Sequence, residues 1–229
     1  MRRRSASDPI LRRGTQFVLL ATAVLAARGL TAEEAGSGDL TSAISDRVRE
    51  VFEHNRDAVV RIESSDQHGR LSGTGFYADP SGTVYTHVGV IGDAADIMVY
   101  QGVRKFPARF LVSDPRTGIA LLKVDANTPF LPIGDSSTLE VATPVLAIGY
   151  PQNRMTEPSL GIVAGFDIEY LNRLFRTTHI RLNLPVQRGL GGAPVLDLNG
   201  KVVGIIVSGI DGNSGCHMLP INAAEKVRL

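Results

Sequence analysis

A glycine-dense loop followed by a two-stranded hairpin is the feature that most constrains the fold of this chain. Residues 188–195 read Arg-Gly-Leu-Gly-Gly-Ala-Pro-Val, and the segments 194–196 and 202–207 are rich in branched apolar residues. Asn199 and Gly200 between these segments are typical of a tight turn joining antiparallel strands. The stretch therefore predicts an antiparallel β fold.

Strand-like segments recur along most of the chain and are separated by short turns. Twelve prolines and 24 glycines supply the turns, and 229 residues suffice for one domain or two packed half-domains. Short strands in this pattern favour antiparallel barrels or a sandwich. The predicted strands cover residues 58–62, 71–77, 83–86, 97–100, 105–111, 120–124, 145–149, 161–165, 180–184, 194–196 and 202–207.

The amino terminus is typical of a signal peptide over residues 1–32. An arginine-rich leader precedes an apolar run at 17–27, and small residues follow up to Ala32, where we expect cleavage. The apolar run is shorter than the roughly 20 residues that cross a bilayer. The mature form is therefore expected to have no membrane span and to be periplasmic or secreted. An uncleaved leader would instead act as a membrane anchor.

Charge and cysteine content exclude several other classes. Residues 1–32 hold six arginines and one aspartate, so their removal turns a whole-chain net charge of +1 negative. Because no basic run remains, we expect no nucleic-acid binding. Cys216 is the single cysteine, so the chain cannot form an intramolecular disulfide.

A linker and a helix are predicted over residues 33–57. Residues 33–39 are mostly small and polar, and apolar residues recur at helical spacing from 40 to 55. The strand pattern starts at Ala58, so we place the main domain at residues 58–229.

Eight motifs occur within this domain in a fixed order. They are Gly-Thr-Gly-Phe at 73–76, Asp-Pro-Arg-Thr at 114–117, Ala-Leu-Leu-Lys-Val at 120–124, Leu-Pro-Ile-Gly-Asp-Ser at 131–136, Ala-Ile-Gly-Tyr-Pro at 147–151, Gly-Ile-Val at 161–163, the glycine loop at 189–195, and Leu-Pro-Ile-Asn at 219–222. Their order and spacing resemble trypsin-like serine protease domains of the HtrA/Deg type. The resemblance implies an all-β, trypsin-like double six-stranded β-barrel with short flanking helices. Its barrels would lie at about 58–133 and 134–222, with the active site in the cleft between them.

Three glycines stand where such a protease carries its chemistry. The reaction needs a hydroxyl nucleophile, an imidazole base and an orienting carboxylate. Aligned on the family pattern Leu-Thr-Asn-Ala-His-Val-Val, residues 85–91 place Gly89 at the histidine. The frame of residues 114–123 places Gly118 at the aspartate, and the glycine loop places Gly191 at the serine.

Other residues could replace the missing groups only with a change in geometry. A single gap would slide His87 into the histidine position, although a surface or rim histidine is the simpler interpretation. Residues 180–207 contain no serine or threonine, and Cys216 lies outside every catalytic motif and is expected to be a small buried residue. The five histidines show no metal-ligand spacing, so no metal or other cofactor is expected.

The sequence therefore predicts a catalytically inactive protease homologue that binds extended or unfolded polypeptide, or acts as a regulatory or scaffold protein. The resemblance implies an oxyanion-hole-like backbone at Gly189 and Gly191 and a substrate-binding edge at Val207, Ser208 and Gly209. The alternatives are an active serine endopeptidase of HtrA/Deg type with a shifted or non-standard site, and a structural envelope protein whose cleft binds nothing. No PDZ domain is expected after the protease-like domain, and the sequence gives no oligomeric state.

Overall fold

The computed structural model describes residues 39, 41–67, 69–94, 96–114, 116–170, 173–185, 187–207 and 216–224. The chain divides into two compact units, Met1–Arg47 and Val48–Leu229. In the first unit, residues 41–47 are helical, and the predicted signal peptide lies outside the described residues. In the second unit, helix α1 covers residues 48–55 and a 3₁₀ turn follows at Arg56–Ala58. Across the described residues, we find no helix with the length and apolar character needed to cross a bilayer.

Six antiparallel strands of the second unit close into a first barrel. Their order around the barrel is β1-β2-β3-β6-β5-β4. A one-turn helix, α2 (Val88–Ile91), follows β3 directly. The strands are β1 (Val59–Asp66), β2 (Gly69–Tyr77), β3 (Thr83–His87), β4 (Asp96–Gln101), β5 (Arg104–Asp114) and β6 (Ile119–Lys123).

Six further antiparallel strands close into a second barrel with the order β10-β11-β12-β9-β8-β7. A short helix, α3 (Ile221–Ala224), follows the last strand. The strands are β7 (Pro144–Gly149), β8 (Glu157–Tyr170), β9 (Arg173–Leu182), β10 (Pro194–Leu196), β11 (Val202–Val207) and β12 (Cys216–Pro220). The two barrels confirm the predicted all-β architecture of twelve strands with short helices.

An apolar cluster lies between the two barrels and packs them together. Strand β6 is apolar on both faces because Leu122 lines the first barrel while Ile119 and Leu121 face the second. Ile148 on β7 and Ile205 on β11 join the same cluster from the other side. Each such buried side chain contributes about 1.5–3 kcal/mol to the free energy of folding. This packing sets the relative position of the two barrels, in which the glycine loop lies against β2.

Candidate functional site

The glycine loop is bound to strand β2 of the first barrel. The Thr74 N–H donates to the Gly191 carbonyl at 2.9 Å. The Thr74 hydroxyl donates to the Gly189 carbonyl at 2.6 Å and accepts from the Tyr150 N–H at 3.0 Å. Thr74 therefore holds the loop backbone at two carbonyl groups. These contacts require no side chain of the loop.

Gly192 is the point of closest approach between the loop and the first barrel. Its φ is +83°, a backbone conformation that favours glycine, and its N–H donates to the Ile206 carbonyl at 2.8 Å. A methyl group at this position would collide with Thr74 O and Thr86 Oγ1 and would lie 3.0 Å from His87 N. The close packing and the positive φ thus both favour glycine here.

Gly191, aligned with the nucleophilic serine, is buried in the middle of this loop. It is not among the described glycines with positive φ, so a residue with a side chain could adopt its backbone conformation. Neither its N–H nor that of Gly189 donates to another described residue. The loop has a defined backbone and two unengaged amides, but it carries no hydroxyl group.

Gly118, aligned with the catalytic aspartate, faces the ring of His87. Strands β3 and β6 pair His87 with Ile119, and the Val88 N–H donates to the Gly118 carbonyl at 2.7 Å. A Cβ atom added to Gly118 would lie 2.7 Å from His87 Nε2, and the Gly118 φ is +76°. The imidazole therefore occupies the space in which a side chain at position 118 would begin.

Gly89, aligned with the catalytic histidine, is exposed in helix α2. His87 is the N-cap of this helix, and its Nδ1 accepts a hydrogen bond from the Gly89 N–H at 3.1 Å. A neutral ring that accepts at Nδ1 carries its proton on Nε2, on the side of Gly118. The ring is half-buried, as a rim position would be, and the β3–β6 pairing places it beside Gly118.

Burial lowers the pKa of His87 to about 4, and electrostatic repulsion from His179 adds to this decrease. The ring is therefore neutral at pH 7. A general base works best when its pKa lies near the operating pH, so such a ring is a weak base there. Its one lone pair on nitrogen is also already engaged by Gly89.

This low pKa predicts that His87 reduces stability in mild acid. Because the folded-state pKa of about 4 lies below the usual 6.5, the unfolded chain takes up the proton first. The neutral ring of His87 makes its full contribution to the unfolding free energy above pH 6.5. This contribution, at most about 3 kcal/mol, is lost as the pH falls towards 4. We expect His87→Asn to lose less unfolding free energy than wild type between about pH 7 and about pH 4.5 in urea titrations.

His54→Asn provides the matched control, because His54 is exposed on helix α1. The unfolding free energy of His54→Asn should show the same pH dependence as that of the wild-type chain. An equally steep loss of stability in His87→Asn would contradict the assignment of this effect to His87.

Asp114, the carboxylate that precedes Gly118 in the turn, is already bound. Its two oxygens accept from Arg116 Nε at 3.1 Å and Nη2 at 3.0 Å, and these hydrogen bonds lower the pKa of the carboxyl group. The Asp114 carbonyl also accepts from the Gly118 N–H at 2.8 Å. Asp114 therefore closes the turn and does not replace the missing acid.

The second barrel contributes a polar cluster that sequence analysis missed. Asp167 Oδ2 lies 3.0 Å from His217 Nε2 and 3.8 Å from Arg181 Nε. His217 is buried opposite Val207, and Asp167 lies opposite His179. Because these residues come from strands β8, β9, β11 and β12, no local spacing in the sequence indicates the cluster.

The remaining predicted residues lie around the end of β11. Val207 is buried at the last position of that strand, whereas Ser208 and Gly209 lie outside the described residues. Cys216 is buried in the core of the second barrel, and burial raises its pKa to about 11, so it is not a thiolate at neutral pH. Among the described residues, no three possible metal ligands are grouped together.

Comparison with known proteins relates this geometry to a family. Residues 73–205 match the model of the trypsin-like peptidase domain. A probable periplasmic serine endoprotease, DegP-like, from Pseudomonas putida is 35% identical over 161 residues, covering 69% of this chain and 33% of the relative. A homologous protein of the same description from Chlamydia trachomatis is 30% identical over 152 residues, covering 65% of this chain and 30% of the relative. The chain thus spans about a third of the length of these curated relatives.

Two solved structures share the fold. The HtrA-type protease AlgW with tripeptide superposes with a TM-score of 0.71 at 22% identity, covering 79% of this chain and 62% of that one. The Rv3671c protease from M. tuberculosis in its active form gives a TM-score of 0.69 at 24% identity, covering 77% and 81%. The chain belongs to the trypsin-like peptidase family, and the predicted resemblance to HtrA/Deg proteases is confirmed.

Proposed function

We propose that this chain is an exported, catalytically inactive member of the trypsin-like peptidase family that binds extended polypeptide without hydrolysing it. Export rests on the signal-like residues 1–32 and on the periplasmic description of its relatives. Inactivity rests on glycine at positions 89, 118 and 191, which the family alignment equates with the three catalytic residues.

The contact between Gly118 and His87 is the observation that carries the proposal. A Cβ atom at residue 118 would lie 2.7 Å from His87 Nε2, so a carboxylate could enter this position only if the ring moved. The same ring is neutral at pH 7 and accepts its hydrogen bond from Gly89. The groups that a serine protease uses to activate a nucleophile are thus absent from the three aligned positions, and the acceptor nitrogen of His87 is already bound by Gly89.

Binding is supported by what the loop and the cleft retain. The loop backbone is fixed by Thr74, and peptide addition to a strand edge relies on main-chain hydrogen bonds that survive the loss of catalytic side chains. The unengaged N–H groups of Gly189 and Gly191 are available to donate hydrogen bonds to a ligand oxygen. A cleft of this kind can hold a peptide even though no nucleophile is present.

Labelling with a fluorophosphonate probe tests the absence of an activated serine. We expect no adduct by mass spectrometry on the purified chain, while an active HtrA-type protease is labelled in parallel. Stoichiometric labelling at one serine would overturn the proposal and identify the true nucleophile. Peptide arrays test whether the chain binds extended polypeptide. The absence of saturable binding to any extended peptide would favour a purely structural role.

A further inference from the structure

Four consecutive carbonyl groups of the glycine loop, those of residues 188–191, accept hydrogen bonds from within the protein. The Arg188 carbonyl accepts from Gln152 N at 2.6 Å, and the Leu190 carbonyl accepts from Ala193 N at 2.9 Å. Those of Gly189 and Gly191 accept from Thr74. No described peptide bond is cis, and in a trans peptide the N–H points opposite to the preceding carbonyl.

Two amides are therefore directed away from these internal partners. The Gly189 N–H points opposite to the Arg188–Gln152 bond, and the Gly191 N–H opposite to the Leu190–Ala193 bond. Gly189 is half-buried and Gly191 is buried, and neither amide donates to another described residue. A buried amide without an acceptor is rare in folded proteins, so the Gly191 N–H indicates a ligand site, and the Gly189 N–H is a second available donor.

A positive charge next to the two amides favours an anion over a neutral carbonyl. Arg188, next to Gly189, is exposed and positively charged. Hydrogen bonds to an ionised acceptor are stronger than those to a neutral one.

We propose that the loop binds the free C-terminal carboxylate of a peptide, with one oxygen at each of the two amides. Gly191 carries no hydroxymethyl group that could compete with the ligand for these amides. This inference rests on the proposed function and specifies its ligand. New C-termini are generated by peptide-bond hydrolysis, so an active endoprotease is the class of enzyme that supplies this ligand.

Matched peptides test the inference. A randomised set of fluorescein-labelled hexapeptides is made once with a free C-terminal carboxylate and once with a C-terminal carboxamide, and binding to the full chain is followed by fluorescence anisotropy. We expect the acids to bind at least about tenfold more tightly than the amides. Equal affinities would overturn the inference and leave peptide binding standing, whereas no binding of either set would overturn both.

Two further measurements locate the carboxylate. In ¹⁵N–¹H spectra of the wild-type chain, the acids but not the amides should shift the Gly189 and Gly191 signals. An acid preference without these shifts would place the carboxylate elsewhere and overturn the inference. Thr74→Val removes the hydroxyl that holds the Gly189 carbonyl and should abolish the acid preference, whereas Thr74→Ser keeps the hydroxyl and should retain it.

Discussion

Four substitutions together are expected to give this chain measurable peptidase activity: Gly89→His, Gly118→Asp, Gly191→Ser and His87→Asn. The first three restore the side chains at the positions that the family alignment assigns to catalysis. We expect casein hydrolysis at least roughly a hundredfold above wild type, a small part of the ~10⁶-fold that a complete triad contributes in a serine protease. A fluorophosphonate probe should then label position 191.

The fourth substitution follows from the structure. With His87 retained, a Cβ atom at position 118 would lie 2.7 Å from its Nε2, so the aspartate could not be placed without displacing the ring. Asparagine is shorter, occupies this position in the family pattern, and is a favoured N-cap, so it can still accept from the Gly89 N–H of helix α2. We therefore expect the triple variant that retains His87 to remain inactive.

The matched control carries Gly191→Ala in place of Gly191→Ser and should show neither labelling nor hydrolysis. Equal activity of the triple and fourfold variants would contradict the obstruction by His87. A folded fourfold variant that is neither labelled nor active would contradict the assignment of the three glycines to the catalytic positions.

The barrels could be predicted because their strands carry local signals. Segments such as 202–207 are continuously apolar, and turns such as Asn199–Gly200 mark where they end. Strand β12 was not predicted, because Cys216–Pro220 places a histidine among apolar residues and shows no alternation. It is recognised only once His217 is paired with Val207 and Arg181 on neighbouring strands.

The sequence assigns positions to the candidate site but does not give their contacts. The family frame points to Gly89, Gly118 and Gly191 because motif spacing is a local property. The contact of His87 with Gly118 depends on the pairing of His87 with Ile119, residues far apart in the sequence. Strand register is set by packing of the whole sheet, so single-sequence patterns do not determine it.

A large loss of stability is expected for Gly192→Ala. The added methyl group would collide with Thr74 O and Thr86 Oγ1, which are already joined by a hydrogen bond of 2.8 Å. Neither atom can move without breaking bonds between the strands and the loop. Overpacking and the positive φ together should cost at least about 3–4 kcal/mol of unfolding free energy.

Gly102→Ala separates the two causes. Gly102 also has a positive φ, +57°, but nothing lies within 4 Å of an added Cβ atom. Only the backbone conformation then opposes alanine, at about 1 kcal/mol. In thermal unfolding we expect the melting temperature to fall by roughly 2–4 °C for Gly102→Ala and by more than about 8 °C for Gly192→Ala. Similar decreases for both would mean that φ alone accounts for glycine at 192, and that the loop does not depend on its close approach to Thr74.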